Sequence, residues 1–332
     1  MRIAVLGTGS WGTALSLLLG RMGHEVQIFG RDAEEVSHLR DHRENLRFLP
    51  GFVLPEGVTA GFLTEVEGEY DLVVVAVPSH AVREVMAAIP PRAGHVVVAS
   101  KGLETSTGKL MTEVAAECWP HVKVSALSGP NLAVEIARGV PTVAIAANVE
   151  RNFARVVQDA FTSHTFRVSI SDDVAGVELG GALKNVLAIG AGVAEGLGFG
   201  DNTKGAFLSR GLMEMATLGQ QLGARLETFL GPAGVGDLFA TASSKLSRNF
   251  RLGFDLGQGF TVREAADRLG QVAEGVLTSE AVGRLARQHG LVLPVFTAVD
   301  SIIQGRITPQ RAVAMLMEKE VRLADFQEEE TD

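Results

Sequence analysis

Lys184 has the most chemistry to offer in this sequence, because its segment, Gly180-Gly181-Ala182-Leu183-Lys184-Asn185-Val186, is otherwise glycine, alanine and aliphatic apart from one asparagine. Burying an ammonium without a partner is costly, and desolvation pushes a lysine toward its neutral form, into the range useful for proton transfer. The structural alternative is an aliphatic stem that packs while its charged head reaches water. Asp237, in Gly234-Val235-Gly236-Asp237-Leu238, is flanked by apolar residues and is a candidate partner for that charge. Ser247-Arg248-Asn249 sets a guanidinium beside two short hydrogen-bonding side chains. Such a set serves either as a phosphate fork or as an ordinary surface loop.

Near the N-terminus, Gly7, Gly9 and Gly12 follow an apolar run at G-x-G-x-x-G spacing and lead into an apolar helical segment. A strand, a tight turn and a helix start bring unpaired N–H groups and the positive end of a helix dipole to one place, where glycine lets a pyrophosphate approach. The following strand ends in Phe29-Gly30-Arg31-Asp32. A carboxylate at such a strand end holds a ribose 2′-hydroxyl, and a cation there suits a 2′-phosphate or stacks on adenine. Arg31 reads either way, as that cation or as a solvated side chain. Lys101, one of only seven lysines, follows the apolar run 96–99 and faces either a ligand or solvent. Ser128-Gly129-Pro130-Asn131 reads as a turn with Asn131 as a helix N-cap.

These residues need a scaffold. Apolar runs at 3–6, 72–77 and 96–99 suit parallel strands covered on both faces, residues 25–29 read as a second strand, and further strands are expected at 123–127, 142–146 and 166–168. Helical segments are expected at 13–21, 80–88 and 110–117, and residues 38–47 read as helix followed by loop. That alternation describes a doubly wound α/β sheet. Beyond about residue 172 the periodicity is helical, at 174–193, 202–222, 278–288, 294–304 and 309–318, giving an all-helical second domain. The expected division is therefore 1–172 and 173–332.

Composition narrows the function further. The 332 residues are 46% hydrophobic and 21% charged with a net charge of −9, which disfavours a nucleic-acid or anionic-membrane surface. The single cysteine, Cys118, leaves no internal disulfide and reads as a buried structural thiol. No histidines fall at metal-ligand spacing, so no metal is expected. With a strand starting near residue 2 there is no room for a signal peptide, and the cytoplasm is the expected compartment.

In order along the chain, Gly7-Thr8-Gly9-Ser10-Trp11-Gly12-Thr13-Ala14, Val77-Pro78-Ser79-His80, Ser100-Lys101-Gly102-Leu103-Glu104, Ser128-Gly129-Pro130, the segment from Gly180 through Lys184-Asn185 to Ile189, Gly236-Asp237-Leu238 and Ser247-Arg248-Asn249 resemble the motifs of bacterial NAD(P)-dependent glycerol-3-phosphate dehydrogenases. The resemblance runs from about residue 1 to 320. It implies an N-terminal Rossmann-type doubly wound sheet with a C-terminal all-helical domain, and interconversion of sn-glycerol 3-phosphate and dihydroxyacetone phosphate with NAD or NADP, supplying glycerophospholipid synthesis. It implies that Lys184 is the proton acceptor for the substrate hydroxyl, with Lys101 and Asp237 holding the reacting group and Asn185 and Thr241 orienting it. Arg248 and Asn249, with Ser247, Gly129 and Asn131, would grip the phosphate. Gly7, Gly9, Ser10, Trp11, Gly12, Arg31, Lys101, Ala133, Arg248, Val272 and Glu274 match dinucleotide contacts. A homodimer through the helical domain is a further analogy. A β-hydroxyacid dehydrogenase of related architecture is the enzymatic alternative, though it would want a carboxylate clamp in place of Ser247-Arg248-Asn249. A dinucleotide-sensing protein without turnover is the non-enzymatic one.

Overall fold

The structure, a computed structural model, describes residues 1–270 and 273–318. Its chain divides into two compact units, the first comprising residues 1–101 and 109–178, the second residues 102–108 and those from 179 onward.

Unit 1 is built on ten strands and six helices. The strands are β1 (Arg2–Leu6), β2 (Glu25–Gly30), β3 (Glu44–Asn45), β4 (Leu49–Val53), β5 (Val58–Phe62), β6 (Leu72–Val75), β7 (His95–Val98), β8 (Lys123–Ser128), β9 (Thr142–Ala147) and β10 (Phe166–Ser171). The helices are α1 (Ser10–Arg21), α2 (Ala33–Asp41), α3 (Val82–Ala88), α4 (Met111–Cys118), α5 (Ala133–Arg138) and α6 (Arg151–Phe161). Eight strands form one sheet in the order β10-β9-β8-β7-β6-β1-β2-β5. All its pairings are parallel except β8 with β9, which is antiparallel. Strand order reverses at β1 and β6, the switch point beside which doubly wound sheets bind ligands.

The apolar runs are continuous because both faces are buried. Ile3, Val5, Val74 and Val97 join one core, and Ala4, Leu6, Val73, Val75, Val96 and Val98 join the other. Residues two apart along a strand share a face, so a run with no polar alternation feeds both cores.

Two sequence expectations need correction here. The segment 38–47 is not one helix, since α2 ends at Asp41, Arg43 turns the chain with a φ of 54°, and β3 pairs with β4 as a separate antiparallel ribbon. Its anchor is Asn45, whose buried amide donates to Thr8 O at 2.6 Å and Thr13 Oγ1 at 2.8 Å. Cys118 is half-buried rather than buried, with its thiol directed at Arg83 O.

At the start of β7, burial holds the His95 imidazole neutral, its pKa pushed down from 6.5 to about 4. Its Nε2 meets Ser125 Oγ at 2.8 Å, and Asn148 Nδ2 donates to the same hydroxyl at 2.9 Å. Between these two pKa values the unfolded chain binds the extra proton, so stability is present above pH 6.5 and is lost as pH falls toward 4. The expected loss is about 3 kcal/mol. His95→Gln keeps a hydrogen-bonding group without the titration. Urea unfolding of both proteins at pH 7.5 and pH 4 checks this, because the stability difference between them should shift by that amount.

Apart from residues 102–108 and the connecting turns, the described residues of unit 2 form helices. Helix α7 (Val174–Gly196) contains the division between the units, which falls after Glu178. It is followed by α8 (Asp201–Gln221), α9 (Leu226–Leu230), α10 (Asp237–Ala242), α11 (Arg248–Gly257), α12 (Val262–Leu269), α13 (Glu274–His289), α14 (Pro294–Ile303) and α15 (Pro309–Met317). The short helices α9 to α12 were not expected from the sequence. By length and hydropathy α7 passes for a membrane span, yet 89% of its apolar window is buried inside the protein, as in a core helix.

The burial of α7 depends on glycine. A Cβ at Gly192 or Gly196 would collide with the carbonyls of Phe250 and Phe254 on α11, and one at Gly253 would collide with Ile189 O. The two helices therefore cross backbone against backbone. On α7 itself, a Cβ at Gly180 would collide with Ala233 O in the single π-type turn Pro232–Gly236 that leads into α10. Gly180 thus lets the start of α10 come close to α7.

Candidate functional site

In unit 1 the glycine turn does what its spacing requires. Gly7 adopts a φ of 121°, and its N–H donates to Phe29 O at 2.7 Å. A Cβ on Gly7 would lie 2.6 Å from Ala76 O, and one on Gly12 would strike Gly7 O. These two glycines close the turn onto the protein. Gly9 differs, because a Cβ there would meet no protein atom within 4 Å. Open space before Gly9, at the N-terminus of α1 where Ser10 is the first residue, is the cradle that a pyrophosphate fits.

Trp11 donates its indole N–H to Ala99 O at 2.9 Å, which sets the ring across the end of β7. Just beyond that end, Lys101 Nζ donates to Gly129 O at 2.7 Å. Gly129 has a φ of 138°, and a side chain there would press on Val143 O at 2.9 Å. Asn131 is not an N-cap: Leu132 caps α5, and Asn131 Nδ2 instead donates to Val143 O at 3.0 Å. Asn131 Oδ1 and Ser128 Oγ are buried without a hydrogen-bond partner among the described residues, the kind of orphan that a bound ligand satisfies. Ala133, half-buried, opens α5, and Arg31 is exposed one residue after β2.

In unit 2 the structure brings the sequence candidates together. Lys184 lies at mid-length in α7 and is 6% exposed; its Nζ donates to Asp237 Oδ1 at 2.7 Å and to Thr241 Oγ1 at 2.6 Å. Asp237 and Thr241 sit one turn apart on α10 and so share a face. Their pairing answers the cost of burying the ammonium, which does not snorkel to water. Beside it, Asn249 Nδ2 donates to Asn185 Oδ1, and Asn249 Oδ1 accepts from Gly275 N, both at 2.9 Å. This Asn185–Asn249 bridge carried no signal in the sequence.

Ser247-Arg248-Asn249 is neither loop nor isolated fork but the cap and first turn of α11, with Ser247 Oγ accepting from Phe250 N at 3.2 Å. Arg248 is solvent-exposed at the first helical position. Nearby protein lowers its proton affinity, the Glu274 carboxylate opposes this, and a guanidinium at the surface keeps its charge. Glu274 opens α13. Val272 lies outside the described residues. No cluster of metal-ligating side chains occurs among the described residues.

A nucleotide cradle beside the switch point of a doubly wound sheet, in one chain with helices that bury a carboxylate-held lysine, defines a dinucleotide-dependent dehydrogenase. Residues 2–154 match the model of the NAD-dependent glycerol-3-phosphate dehydrogenase N-terminus, and residues 173–314 match that of its C-terminus. The chain belongs to this family. It is 43% identical over 323 residues to the glycerol-3-phosphate dehydrogenase [NAD(P)+] of Thermoanaerobacter, covering 96% of this chain and 98% of that one. Among solved structures it resembles glycerol-3-phosphate dehydrogenase from Coxiella burnetii at 36% identity and a TM-score of 0.91, covering 96% of this chain and 99% of that one. The yeast GPD1 structure matches at 26% identity and a TM-score of 0.81, covering 96% and 99%.

Proposed function

We propose that the protein interconverts sn-glycerol 3-phosphate and dihydroxyacetone phosphate with NAD or NADP, supplying glycerol 3-phosphate for glycerophospholipid synthesis in the cytoplasm. Residues 1–172 form the dinucleotide-binding domain, and residues 173–332 form the helical substrate and catalytic domain that carries Lys184. The observation that carries this reading is the buried ammonium of Lys184, held by Asp237 and Thr241.

When bound, the dinucleotide supplies or accepts the hydride at the substrate carbon. In reduction, negative charge grows on the ketone oxygen; Lys184 stabilises that oxygen and donates the proton to it. In oxidation the neutral amine accepts the hydroxyl proton. Asp237 and Thr241 fix the direction of the Nζ–H bonds, so little reorganisation is needed as charge develops. Asn185, locked by Asn249, orients the reacting group. Lys101, held by Gly129 O, binds substrate and dinucleotide. Arg248 and Asn249, with Ser247, Gly129 and Asn131, hold the phosphate, and this remote binding fixes the reacting carbon in place. Gly7, Gly9, Ser10, Trp11, Gly12, Arg31, Ala133, Val272 and Glu274 complete the dinucleotide contacts, with Arg248 shared.

The family match sets aside the β-hydroxyacid dehydrogenase reading, and the exposed guanidinium favours a phosphorylated substrate over a simple carboxylic acid. The protein is a homodimer that binds neither nucleic acid nor membrane in this reading. Absorbance of NADH and NADPH followed with dihydroxyacetone phosphate, and then with dihydroxyacetone, tests it. Turnover with the phosphorylated ketone, and at least about a hundredfold less kcat/KM without the phosphate, is the expected result. Equal rates with both ketones, or none with either, would overturn it.

A further inference from the structure

We infer that Asn45, which lies outside the glycine motif, is the residue that aims the Gly9 N–H at the pyrophosphate of the dinucleotide. The inference rests on the reading of the glycine turn as a dinucleotide cradle, and it assigns that cradle a positioning residue. The three glycines explain why the turn has room, but not which way its peptides face. A glycine-rich loop can flip a peptide plane at small cost, and each flip exchanges an N–H for a carbonyl oxygen at the surface that meets the ligand. For an anion the exchange turns attraction into repulsion.

The plane in question joins Thr8 to Gly9. Thr8 is buried, so its carbonyl oxygen needs a partner. Asn45 Nδ2 donates to that oxygen at 2.6 Å across 37 residues of sequence, and Thr13 Oγ1 approaches it at 3.4 Å. The described peptide bonds are all trans. In a trans peptide the carbonyl and the following N–H point in opposite directions. With Thr8 O turned toward Asn45, the Gly9 N–H is turned away from it, and among the described residues it donates to no protein acceptor. Gly9 is also the N-cap of α1, so this N–H joins the unpaired donors and the positive dipole end of that helix. A Cβ on Gly9 would meet no protein atom within 4 Å, which leaves the approach open to a ligand.

Asn45 is itself held in one orientation. Its Nδ2 also donates to Thr13 Oγ1 at 2.8 Å, and its Oδ1 accepts from Phe48 N at 3.0 Å. The reversed amide would set oxygen against Thr8 O and N–H against N–H at Phe48, so only this orientation satisfies both neighbours. Its backbone pairs with Leu49 of β4, a fully buried member of the core that also holds Ala14 and Leu15 of α1. The hydroxyl of Thr8 donates to Glu35 Oε2 at 2.9 Å, so both the main chain and the side chain of Thr8 are fixed.

Asn45→Asp keeps the acceptor for Phe48 N but sets a carboxylate oxygen against Thr8 O, which favours the flipped plane. Isothermal titration of NADH into the wild type and this variant, with steady-state reduction of dihydroxyacetone phosphate alongside, tests the assignment. The Kd for NADH should rise at least about tenfold, the scale of one charge-assisted hydrogen bond lost, while kcat at saturating NADH stays within about twofold. Thr13→Val leaves the bond between Asn45 and Thr8 O in place and should raise Kd by less than about threefold. In wild type carrying isotope-labelled glycine, the Gly9 amide proton resonance should move downfield when ADP is added. That measurement decides the matter even where Asn45→Asp does not fold. An NADH Kd unchanged in Asn45→Asp, a kcat that falls in step with affinity, or a wild-type Gly9 amide that does not respond to ADP would each overturn the inference. A wild type that bound no NADH would overturn the cradle as well, so the two failures are told apart.

Discussion

Lys184→Met should lower kcat for dihydroxyacetone phosphate reduction by on the order of 10³- to 10⁴-fold, the combined scale of a lost general acid and a lost oxyanion partner. Dinucleotide affinity should stay within about twofold, because Lys184 is not among the residues assigned to the dinucleotide. The single variant has a second cost. Lys184 and Asp237 side chains are only 7% and 1% exposed, so removing the ammonium strands a carboxylate in the interior. Breaking a buried pair from one side costs about 3–5 kcal/mol. Adding Asp237→Asn should return much of that stability and none of the rate. Thermal unfolding and stopped-flow reduction, run on the wild type, the single and the double variants, separate the two effects. A double variant that regains turnover would remove Lys184 from the chemistry.

Arg248→Gln should raise KM for dihydroxyacetone phosphate by about a hundredfold, on the scale of a lost charge-assisted contact to a dianion. Its kcat/KM with dihydroxyacetone should fall far less. Stability should move little, because the helix dipole opposes a cation at the first position of α11 while the Glu274 carboxylate favours it. Removing it should shift the melting temperature by no more than about two degrees in either direction. Steady-state kinetics with both ketones, alongside a melting curve, checks this. Equal losses for the two ketones would assign Arg248 to the fold and not to the phosphate.

The parts of this molecule that were legible in the sequence are those where one residue type has one physical use. Continuous valine runs at 73–75 and 96–98 had to be strands buried on both faces, and Gly7 and Gly12 had to be a turn without room for a Cβ. Lys184 stood out because an ammonium in an aliphatic helix demands a partner, and Asp237 was the partner suggested. Other features depend on contacts that spacing does not encode. Asn45 looked like one more polar residue in a charged stretch, yet its amide organises the turn around Thr8. Asn131 looked like an N-cap because its type is common there, but the β9 carbonyl of Val143 claims its side chain. The antiparallel entry of β9 left no mark either, since a buried strand reads the same in both directions.

The glycine-to-carbonyl crossing of α7 and α11 bears on what the enzyme can select. Lys184 rides on the first of these helices and Arg248 on the second, and neither helix can slide where bare backbones already touch. The spacing of the two backbones that carry them is therefore set by main-chain atoms, and Asp237 and Thr241 hold the ammonium in place on its side. If Lys184 and Arg248 take the roles proposed for them, that rigid crossing acts like the frame of a caliper, and a ketone one or two carbons further from its phosphate should be reduced more slowly.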